Sequence, residues 1–505
     1  MTAKTGFDNK KYLKEQTKAI LDRVRQFDGK LYLEFGGKVT YDYHASRVLP
    51  GFAPNVKMQL LEKLKDEADI ILCIYAGDIE RRKVRADFGI TYDTDALRMI
   101  DELRDRGLNI AAVVITRFEE QSSAKIFKNK LERRGIKVYT HRFTKGYPTD
   151  IDAIVSDEGY GANEHIATNK PLVIVTGPGP GSGKLATCLS QLYHDHKKGV
   201  HSGYAKFETF PIWSIPLKHP VNVAYESATA DLRDFNMIDP FHLETYNKSA
   251  INYNRDVEIF PVLKRILQKI MGEELVYKSP TDMGVNRAGF GIVNDAVVQE
   301  AAKQEIIRRY YKYACEYALG FADAETVERA LLIVEEIGMR PEDRVVVQPA
   351  KQASIDCEQA GKGNKGVFCG AAIQLPDGTI ITGKNSPLMH AASSVILNAV
   401  KTLAELPDAI HVLSPSIIES IGTLKKNILK KKTISLDVEE TLIALSISAA
   451  SNPTAAAAME RLKSLRGCEV HLSHMPTSGD EAGLRKLGVN LTSESVFATD
   501  ALFDA

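Results

Sequence analysis

A glycine-rich loop that ends in a lysine is the segment of this chain best suited to chemistry. Residues 171–192 read PLVIVTGPGPGSGKLATCLSQL, so an apolar run leads into four glycines, Lys184 and a helical stretch. Glycines allow backbone N–H groups to converge on an anion, a helix start adds the positive end of its dipole, and a lysine adds a point charge. Strand, loop and helix follow one another as in a phosphate-binding P-loop. The segment therefore predicts a phosphate site.

The loop departs from the standard P-loop pattern at Pro178 and Leu185. The pattern has glycine at the first position and, directly after the lysine, a Ser or Thr whose hydroxyl coordinates magnesium. That hydroxyl is therefore missing here, or displaced to Ser182 or Thr187. The predicted phosphate contacts share the loop and the first helical turn: Gly177, Gly179, Gly181, Ser182, Gly183, Lys184 and Thr187. The expected ligand is ATP, another nucleotide or another small phosphorylated molecule, with magnesium left open. The alternative is a tight strand-to-helix turn without a ligand.

A second polar loop lies at residues 278–289, which read KSPTDMGVNRAG between two helical stretches. Loops of such composition often hold polar ligands. Asp282, Asn286 and Arg287 are predicted substrate contacts on this basis. Asp282 and Arg287 could equally form a local ion pair or a helix cap.

Two further patterns are weaker evidence for a ligand or metal site. Residues 34–38, EFGGK, follow an apolar strand and are more typical of a hairpin turn than of a phosphate loop. His194, His196 and His201 are predicted to be solvated, because residues two apart on a helix point in different directions and cannot easily share a metal.

The elements that must position these loops alternate between short apolar runs and charged helical stretches, which predicts a mainly parallel sheet. The runs ILCIYAGD and AAVVITR are apolar almost throughout, as in central strands covered on both faces. Asp78 and Arg117 stand at their carboxyl ends, where open α/β sheets usually bind ligands. The predicted strands cover residues 31–33, 69–75, 109–116, 137–140, 152–156 and 171–176.

The pattern divides the chain of 505 residues into three predicted domains of the α/β class. Residues 1–235 form an α/β domain that opens with an amphipathic helix at 9–27 and contains the glycine-rich loop. Residues 236–340 form a helical subdomain, with helices at 257–271, 294–319 and 324–337. Residues 341–505 form a second α/β domain.

Composition limits the classes of partner. The 65 basic and 65 acidic residues balance, so no overall charge attracts nucleic acid or an anionic membrane. The six cysteines show no CxxC spacing, which argues against a zinc ribbon and a disulfide scaffold and fits reduced thiols. No apolar run has the length of a signal peptide or a spanning helix, so a cytoplasmic protein is expected.

Residues 370–403, GAAIQLPDGTIITGKNSPLMHAASSVILNAVKTL, predict two strands joined by a Pro-Asp-Gly turn and followed by an apolar helix. They resemble the opening of the cytidine-deaminase fold. In that family His or Cys and a glutamate stand at the helix start, and a later Pro-Cys-x-x-Cys completes a zinc site. Here His390 keeps one ligand, Ala392 replaces the glutamate, and Ser416 and Glu419 replace the cysteines. The resemblance implies a packing or ligand-sensing domain without zinc or deaminase chemistry. A generic strand-turn-strand-helix unit is the alternative.

Three segments together, KPLVIVTGPGPGSGKLAT, SPTDMGVNRAGFGIVNDA and FCGAAIQLPDGTIITGKNSPLMHAASS, resemble the bacterial family called domain of unknown function 1846, or uncharacterised protein family 0371. The resemblance runs along the whole chain. It implies a cytosolic bacterial protein with an N-terminal α/β region, a helical subdomain and a C-terminal α/β domain, and it supplies no catalytic residues.

Three functions fit the sequence. The first is a nucleotide-dependent enzyme such as a phosphotransferase, with the glycine-rich loop on the phosphates and residues 278–287 near the acceptor. The second is a non-catalytic nucleotide or metabolite sensor, which Leu185 favours because it replaces a magnesium ligand. The third is a structural homo-oligomer.

Overall fold

The structure is a computed structural model that describes residues 5–27, 30–85 and 89–499. The chain divides into two compact units, an N-terminal unit within Lys4–Ala302 and a C-terminal unit within Lys303–Ala505. The three-domain division with boundaries near 235 and 340 stays a prediction. No helix in the described part of the chain is long and apolar enough to cross a membrane.

A six-stranded parallel sheet forms the centre of the N-terminal unit. The strands of this unit are β1 (Leu31–Phe35), β2 (Ala68–Tyr75), β3 (Val84–Arg85), β4 (Ile90–Thr91), β5 (Asn109–Thr116), β6 (Val138–His141), β7 (Leu172–Thr176), β8 (Gly203–Phe207), β9 (Asn236–Ile238) and β10 (Ile251–Tyr253). The large sheet has the order β6-β5-β2-β7-β1-β8, and β3 with β4 and β9 with β10 form small antiparallel pairs. The predicted mainly parallel α/β sheet is confirmed.

Helices cover this sheet and connect its strands. They are α1 (Asn9–Arg25), α2 (Tyr43–Val48), α3 (Val56–Leu64), α4 (Ala76–Glu80), α5 (Tyr92–Asp105), α6 (Ser122–Glu132), α7 (Ile151–Ile154), α8 (Lys184–Lys197), α9 (Pro220–Ala228), α10 (Pro240–Tyr246), α11 (Asn254–Met271) and α12 (Pro280–Met283). The next helix, α13 (Asp295–Ala318), includes the boundary between the units. Every residue of β7 is buried, as expected for an apolar strand with helices on both faces.

The carboxyl end of β7 lies at a topological switch point. The chain moves from β1 through β2 and β5 toward the β6 edge, and then from β6 through β7 back toward β8. Because crossovers between parallel strands are right-handed, the connection after β7 runs on the opposite face from those after its neighbours β1 and β2. Such a reversal opens a crevice at the carboxyl edge, where ligands of α/β proteins bind. The glycine-rich loop starts at this place.

Two local predictions were wrong. Residues 152–156 were expected to form a strand, but 151–154 form the short helix α7, because the Asp150 carboxylate accepts a hydrogen bond from the Ala153 amide and caps it. Residues 36–38 do not form a hairpin turn. Both neighbours of β1 are parallel to it, so these residues connect the strand to α2.

The C-terminal unit contains a four-stranded sheet of order β12-β11-β13-β14. Its strands are β11 (Gly370–Gln374), β12 (Ile380–Lys384), β13 (Glu469–Leu472) and β14 (Asn490–Ser493). Its further helices are α14 (Ala324–Glu336), α15 (Val347–Gln359), α16 (Ala391–Leu403), α17 (Pro415–Thr423), α18 (Val438–Ala449), α19 (Pro453–Glu460) and α20 (Ser478–Leu487). β11 is antiparallel to β12 and β13, whereas β13 and β14 are parallel. The predicted hairpin and its following helix are therefore present, and they pack around Ile373, Val395 and Leu472.

Candidate functional site

Close packing requires glycine at two positions of the loop between β7 and α8. A Cβ atom on Gly177 would lie 2.3 Å from the Cys73 carbonyl oxygen. Gly183 has φ +89, and a Cβ atom there would lie 2.7 Å from Cγ2 of Thr116. The loop thus folds tightly against the carboxyl ends of β2 and β5. A side chain at either glycine position would prevent this packing.

The backbone of the loop presents hydrogen-bond donors that the protein does not use. Within the described chain, the amide N–H groups of Gly181, Ser182, Gly183, Lys184 and Leu185 have no acceptor. The Lys184 ammonium crosses the loop and donates to the Gly179 carbonyl at 3.3 Å and to the Ser182 hydroxyl at 3.4 Å. Successive free amides at a helix start, with a lysine that holds only long hydrogen bonds, form an arrangement that suits an anion.

Residues on β5 and the turn after it hold the loop in place. The Thr116 hydroxyl donates to the Ser182 carbonyl at 2.8 Å, and the Arg117 guanidinium donates to the Gly181 carbonyl. The Arg117 guanidinium also lies 3.5 Å from the centre of the Tyr75 ring. Arg117, which the sequence placed at a ligand-binding strand end, therefore contacts the loop directly.

The hydroxyl groups expected near the phosphate are differently placed. Ser182 is only 2% exposed, and Thr187 is fully buried, where its hydroxyl accepts a hydrogen bond from the Cys73 thiol. Leu185, at the usual magnesium-ligand position, lines a cavity instead. The hydroxyl of Thr187 therefore points into the protein rather than into the loop.

Two cavities, each of about 450 Å³, lie beside one another in this unit. The loop cavity is lined by Glu34, Leu185, Tyr147, Tyr204, Tyr253, Arg255, Glu258, Ile259, Leu263, Met283 and by three residues that it shares with the second cavity: Lys206, Asp256 and Pro280. The second, here called the arginine cavity, is lined among others by Arg23, Asp282, Asn286 and Arg287.

A cluster of ionisable side chains separates the two cavities. Lys206 Nζ lies 2.6 Å from an Asp256 carboxylate oxygen and 3.4 Å from a Glu208 carboxylate oxygen. Glu34 pairs with Lys206 in the parallel register of β1 and β8, and it accepts a 2.7 Å hydrogen bond from the Tyr204 hydroxyl. The cluster therefore brings three carboxylates and an ammonium together at the carboxyl edge of the sheet.

This environment shifts the pKa values of Glu208 and Lys206. Burial raises the pKa of Glu208 to about 7, and the carboxylates of Asp256 and Glu34 add to the shift while Lys206 opposes it. Burial alone would lower the pKa of Lys206, but the carboxylates of Asp256 and Glu208 hold it above its usual range. A carboxyl group that titrates near neutral pH beside a permanent cation is suited to acid-base chemistry.

Sequence reasoning missed Lys206 and Glu208. They stand at the end of the segment GYAKFE, where polar and apolar residues alternate. In an extended strand the side chains of residues two apart point to the same face. That alternation at a strand end could have indicated that Lys206 and Glu208 share a face. Asp256 lies on α11, and no local sequence pattern connects it with these two residues.

The predicted polar loop at 278–289 lines the arginine cavity, but its members differ in role. Asp282 completes a capping box with Ser279 at the start of α12 and accepts a 3.0 Å hydrogen bond from the Tyr246 hydroxyl. The Asn286 side-chain oxygen accepts the Glu208 amide at 2.7 Å. The cap that the sequence offered as an alternative for Asp282 is thus present, and Asn286 lies against the ionisable cluster.

His194 and His196, near the end of α8, each place a ring nitrogen against a backbone carbonyl oxygen. His194 Nε2 lies 2.6 Å from the Asn163 carbonyl oxygen, and His196 Nε2 lies 2.9 Å from that of Ser202. No group of three His, Cys, Asp or Glu side chains in the described ranges is arranged to hold a metal ion.

In the C-terminal unit, His390 stands at the start of α16 and contacts α20. Its Nδ1 lies 2.8 Å from a carboxylate oxygen of Asp480, which also accepts a 2.8 Å hydrogen bond from the Thr477 hydroxyl. Burial opposes protonation of His390, but the Asp480 carboxylate raises its pKa above the usual value. The imidazole is therefore oriented by a buried carboxylate.

The hydrogen-bond partner of His390 is neither Ser416 nor Glu419, the positions that the sequence pattern aligned with the zinc-binding cysteines. Ser416, in the first turn of α17, hydrogen-bonds to Ser414 instead. Residues 476–480, Pro-Thr-Ser-Gly-Asp, have the spacing of Pro-Cys-x-x-Cys and supply both Thr477 and Asp480.

Comparison with known proteins assigns the family. The model of the domain of unknown function DUF1846, N-terminal, matches residues 5–338, and that of its C-terminal domain matches residues 342–503. A UPF0371 protein of Clostridium botulinum (strain 657) is 59% identical over 499 residues, and one of Clostridium tetani is 57% identical over 500; each match covers 99% of both chains. Neither the family descriptions nor these names state a substrate or reaction. The chain belongs to the DUF1846 family, also called UPF0371.

Proposed function

We propose that this protein binds a small phosphorylated molecule, such as a nucleotide, through a phosphate group held by the loop between β7 and α8. The observation that carries the proposal is the set of unused amide N–H groups at Gly181–Leu185. The first amide N–H groups of an α-helix have no acceptor within the helix, and together with the positive end of the helix dipole they favour negative charge. A phosphate would accept these hydrogen bonds and draw the Lys184 ammonium away from the Gly179 carbonyl.

The loop cavity is the space for the rest of the ligand. Leu185 lines it, so it begins next to the phosphate position, and its volume of about 450 Å³ lies within the range of small-molecule pockets. Tyr204, Tyr253 and the aliphatic side chain of Leu263 offer an apolar wall. Its polar groups, Glu34 and Lys206, would contact hydroxyl, amine or further phosphate groups.

Two activities follow from this binding mode. Transfer of the phosphoryl group is supported by the ionisable cluster between the cavities, where Glu208 could accept the proton of a hydroxyl acceptor in the arginine cavity. Sensing without turnover is supported by Leu185 at the magnesium-ligand position and by the burial of Thr187. Because neither Leu185 nor the buried Thr187 offers a hydroxyl to magnesium, the phosphates and water alone would hold that ion.

Calorimetric titration with ATP and with pyrophosphate, each with and without magnesium, tests the proposal. Lys184→Ala should raise Kd about 10- to 100-fold, the usual loss for a charge-assisted hydrogen bond. Lys197→Ala is the matched control, because Lys197 lies at the opposite end of α8 and pairs with the exposed Asp157. Equal binding by the wild type and Lys184→Ala would refute the proposal. Turnover of bound ATP would select transfer, and binding without turnover would select sensing.

The C-terminal unit is proposed to keep the outline of a deaminase-like frame without its zinc chemistry. The hairpin of β11 and β12, the helix that starts at His390, and the Pro-Thr-x-x-Asp segment that leads into α20 support this outline. Its test is the metal content of the purified protein, since about one equivalent of zinc would contradict it.

A further inference from the structure

The arginine cavity has more positive than negative charge available to a ligand. Within the described residues, Arg23, Arg287 and Lys248 line this cavity and have no carboxylate oxygen within 4.0 Å. Its three carboxylates already have partners: Asp256 and Glu208 lie within 4.0 Å of the Lys206 ammonium, and Asp282 accepts the hydrogen bonds that start α12.

Each guanidinium group is held by the protein through a backbone carbonyl. Arg23 donates from one terminal nitrogen to the Asp282 carbonyl at 2.8 Å, and Arg287 donates to the Asn286 carbonyl at 3.1 Å. A guanidinium carries five N–H donors in a planar fork. These contacts fix both side chains at the cavity wall and leave most of each fork for other acceptors.

The two arginines line the same cavity, and the charge of Arg23 acts on Arg287. Burial lowers the pKa of Arg287, and the positive charge of Arg23 lowers it further. Glu15 and Asp22 on α1 act in the opposite direction, but neither forms an ion pair with Arg287. Like charges placed together at a partly buried wall are costly unless an anion lies between them.

We propose that the arginine cavity binds the carboxylate or phosphate group of a small acidic metabolite through Arg23 and Arg287. The planar fork of arginine matches both oxyanions in a bidentate manner, which a lysine pair could not do. The cavity volume of about 450 Å³ fits a molecule of metabolite size, and Glu208 and Trp213 on its wall would contact the rest of it. This site is separate from the phosphate loop, and it does not depend on the function proposed above.

Titration of inorganic phosphate and of succinate into the Lys184→Ala protein tests the proposal, because that variant removes the principal cation of the loop. Adding Arg287→Gln or Arg23→Gln should raise Kd for the tighter probe about 10- to 100-fold. Arg25→Gln is the matched control on the same helix, since Arg25 is exposed and pairs with Asp22. Arg287→Lys should give an intermediate loss, because it keeps the charge and removes the fork.

The outcomes separate this site from the loop. Preference for phosphate or for succinate identifies the oxyanion that the cavity takes. Unchanged affinity after both Arg287→Gln and Arg23→Gln, or the absence of binding by either probe to Lys184→Ala at millimolar concentration, would overturn the proposal. A different result would refute the loop proposal, namely that Lys184→Ala binds ATP as tightly as the wild type does.

Discussion

Replacing Glu208 with Gln should change how the stability of the protein depends on pH. Burial and the neighbouring carboxylates raise the pKa of Glu208 from an ordinary 4.5 to about 7. In the window between these values the folded protein keeps a proton that the unfolded chain releases. The contribution of Glu208 to the free energy of unfolding is therefore fully present below pH 4.5 and is lost as the pH rises through 7.

The size of this effect follows from the shift. The difference of 7 minus 4.5 is 2.5 pH units, and at about 1.4 kcal/mol per unit it corresponds to about 3 kcal/mol. The Glu208 side chain exposes only 23% of its surface, so solvent screening leaves most of this value. Gln has the shape of the protonated acid and carries no charge at any pH. The variant should come within about 1 kcal/mol of the wild type near pH 5 and exceed its stability by up to about 3 kcal/mol near pH 8.

Urea unfolding of both proteins at pH 5 and pH 8 measures this difference. Comparing the change with pH in the variant against that in the wild type cancels the contributions of titrating groups that do not interact with Glu208. Glu119→Gln, at a surface position away from the cluster, serves as the control and should retain the pH dependence of the wild type. An equal pH dependence in the wild type and Glu208→Gln would refute the environment described for this carboxyl group.

Three further outcomes are expected. Lys57→Met should lower the free energy of unfolding by about 3–5 kcal/mol in urea titrations, because it leaves the buried Asp42 carboxylate without its 2.8 Å partner; adding Asp42→Asn should restore part of the loss. Gly183→Ala should be more destabilising in thermal unfolding than Gly181→Ala, because both positions have positive φ but only the Cβ at 183 meets Thr116. Metal analysis of the purified protein should find zinc well below one equivalent, and a stoichiometric amount would contradict the account of the C-terminal unit.

Much of the sheet could be predicted because its strands β2, β5 and β7 are apolar almost throughout. The run that forms β5 has the predicted bounds, Asn109–Thr116, and α14 begins at the predicted Ala324. The order of the strands could not be predicted in this way. The insertion of β7 between β1 and β2 depends on which apolar faces pack together, and no local pattern records that choice.

The two candidate sites also differ in how far the sequence could predict them. The phosphate loop is continuous in sequence, so its glycines and Lys184 were visible as one motif. The arginine cavity combines α1, β8, α11 and the loop around Arg287, which are distant along the chain. Of that set the sequence identified only the polar loop, because Arg23 on α1 reads as one more exposed charge of an amphipathic helix.

The structure of the protein crystallised with ATP or pyrophosphate would test the central proposal most directly. Binding as proposed requires phosphate oxygens about 2.7–3.2 Å from the amide nitrogens between Gly181 and Leu185. The Lys184 ammonium should then contact the phosphate instead of the Gly179 carbonyl. A ligand bound elsewhere, with the Lys184 ammonium still on that carbonyl and the loop amides without an anion, would contradict the account.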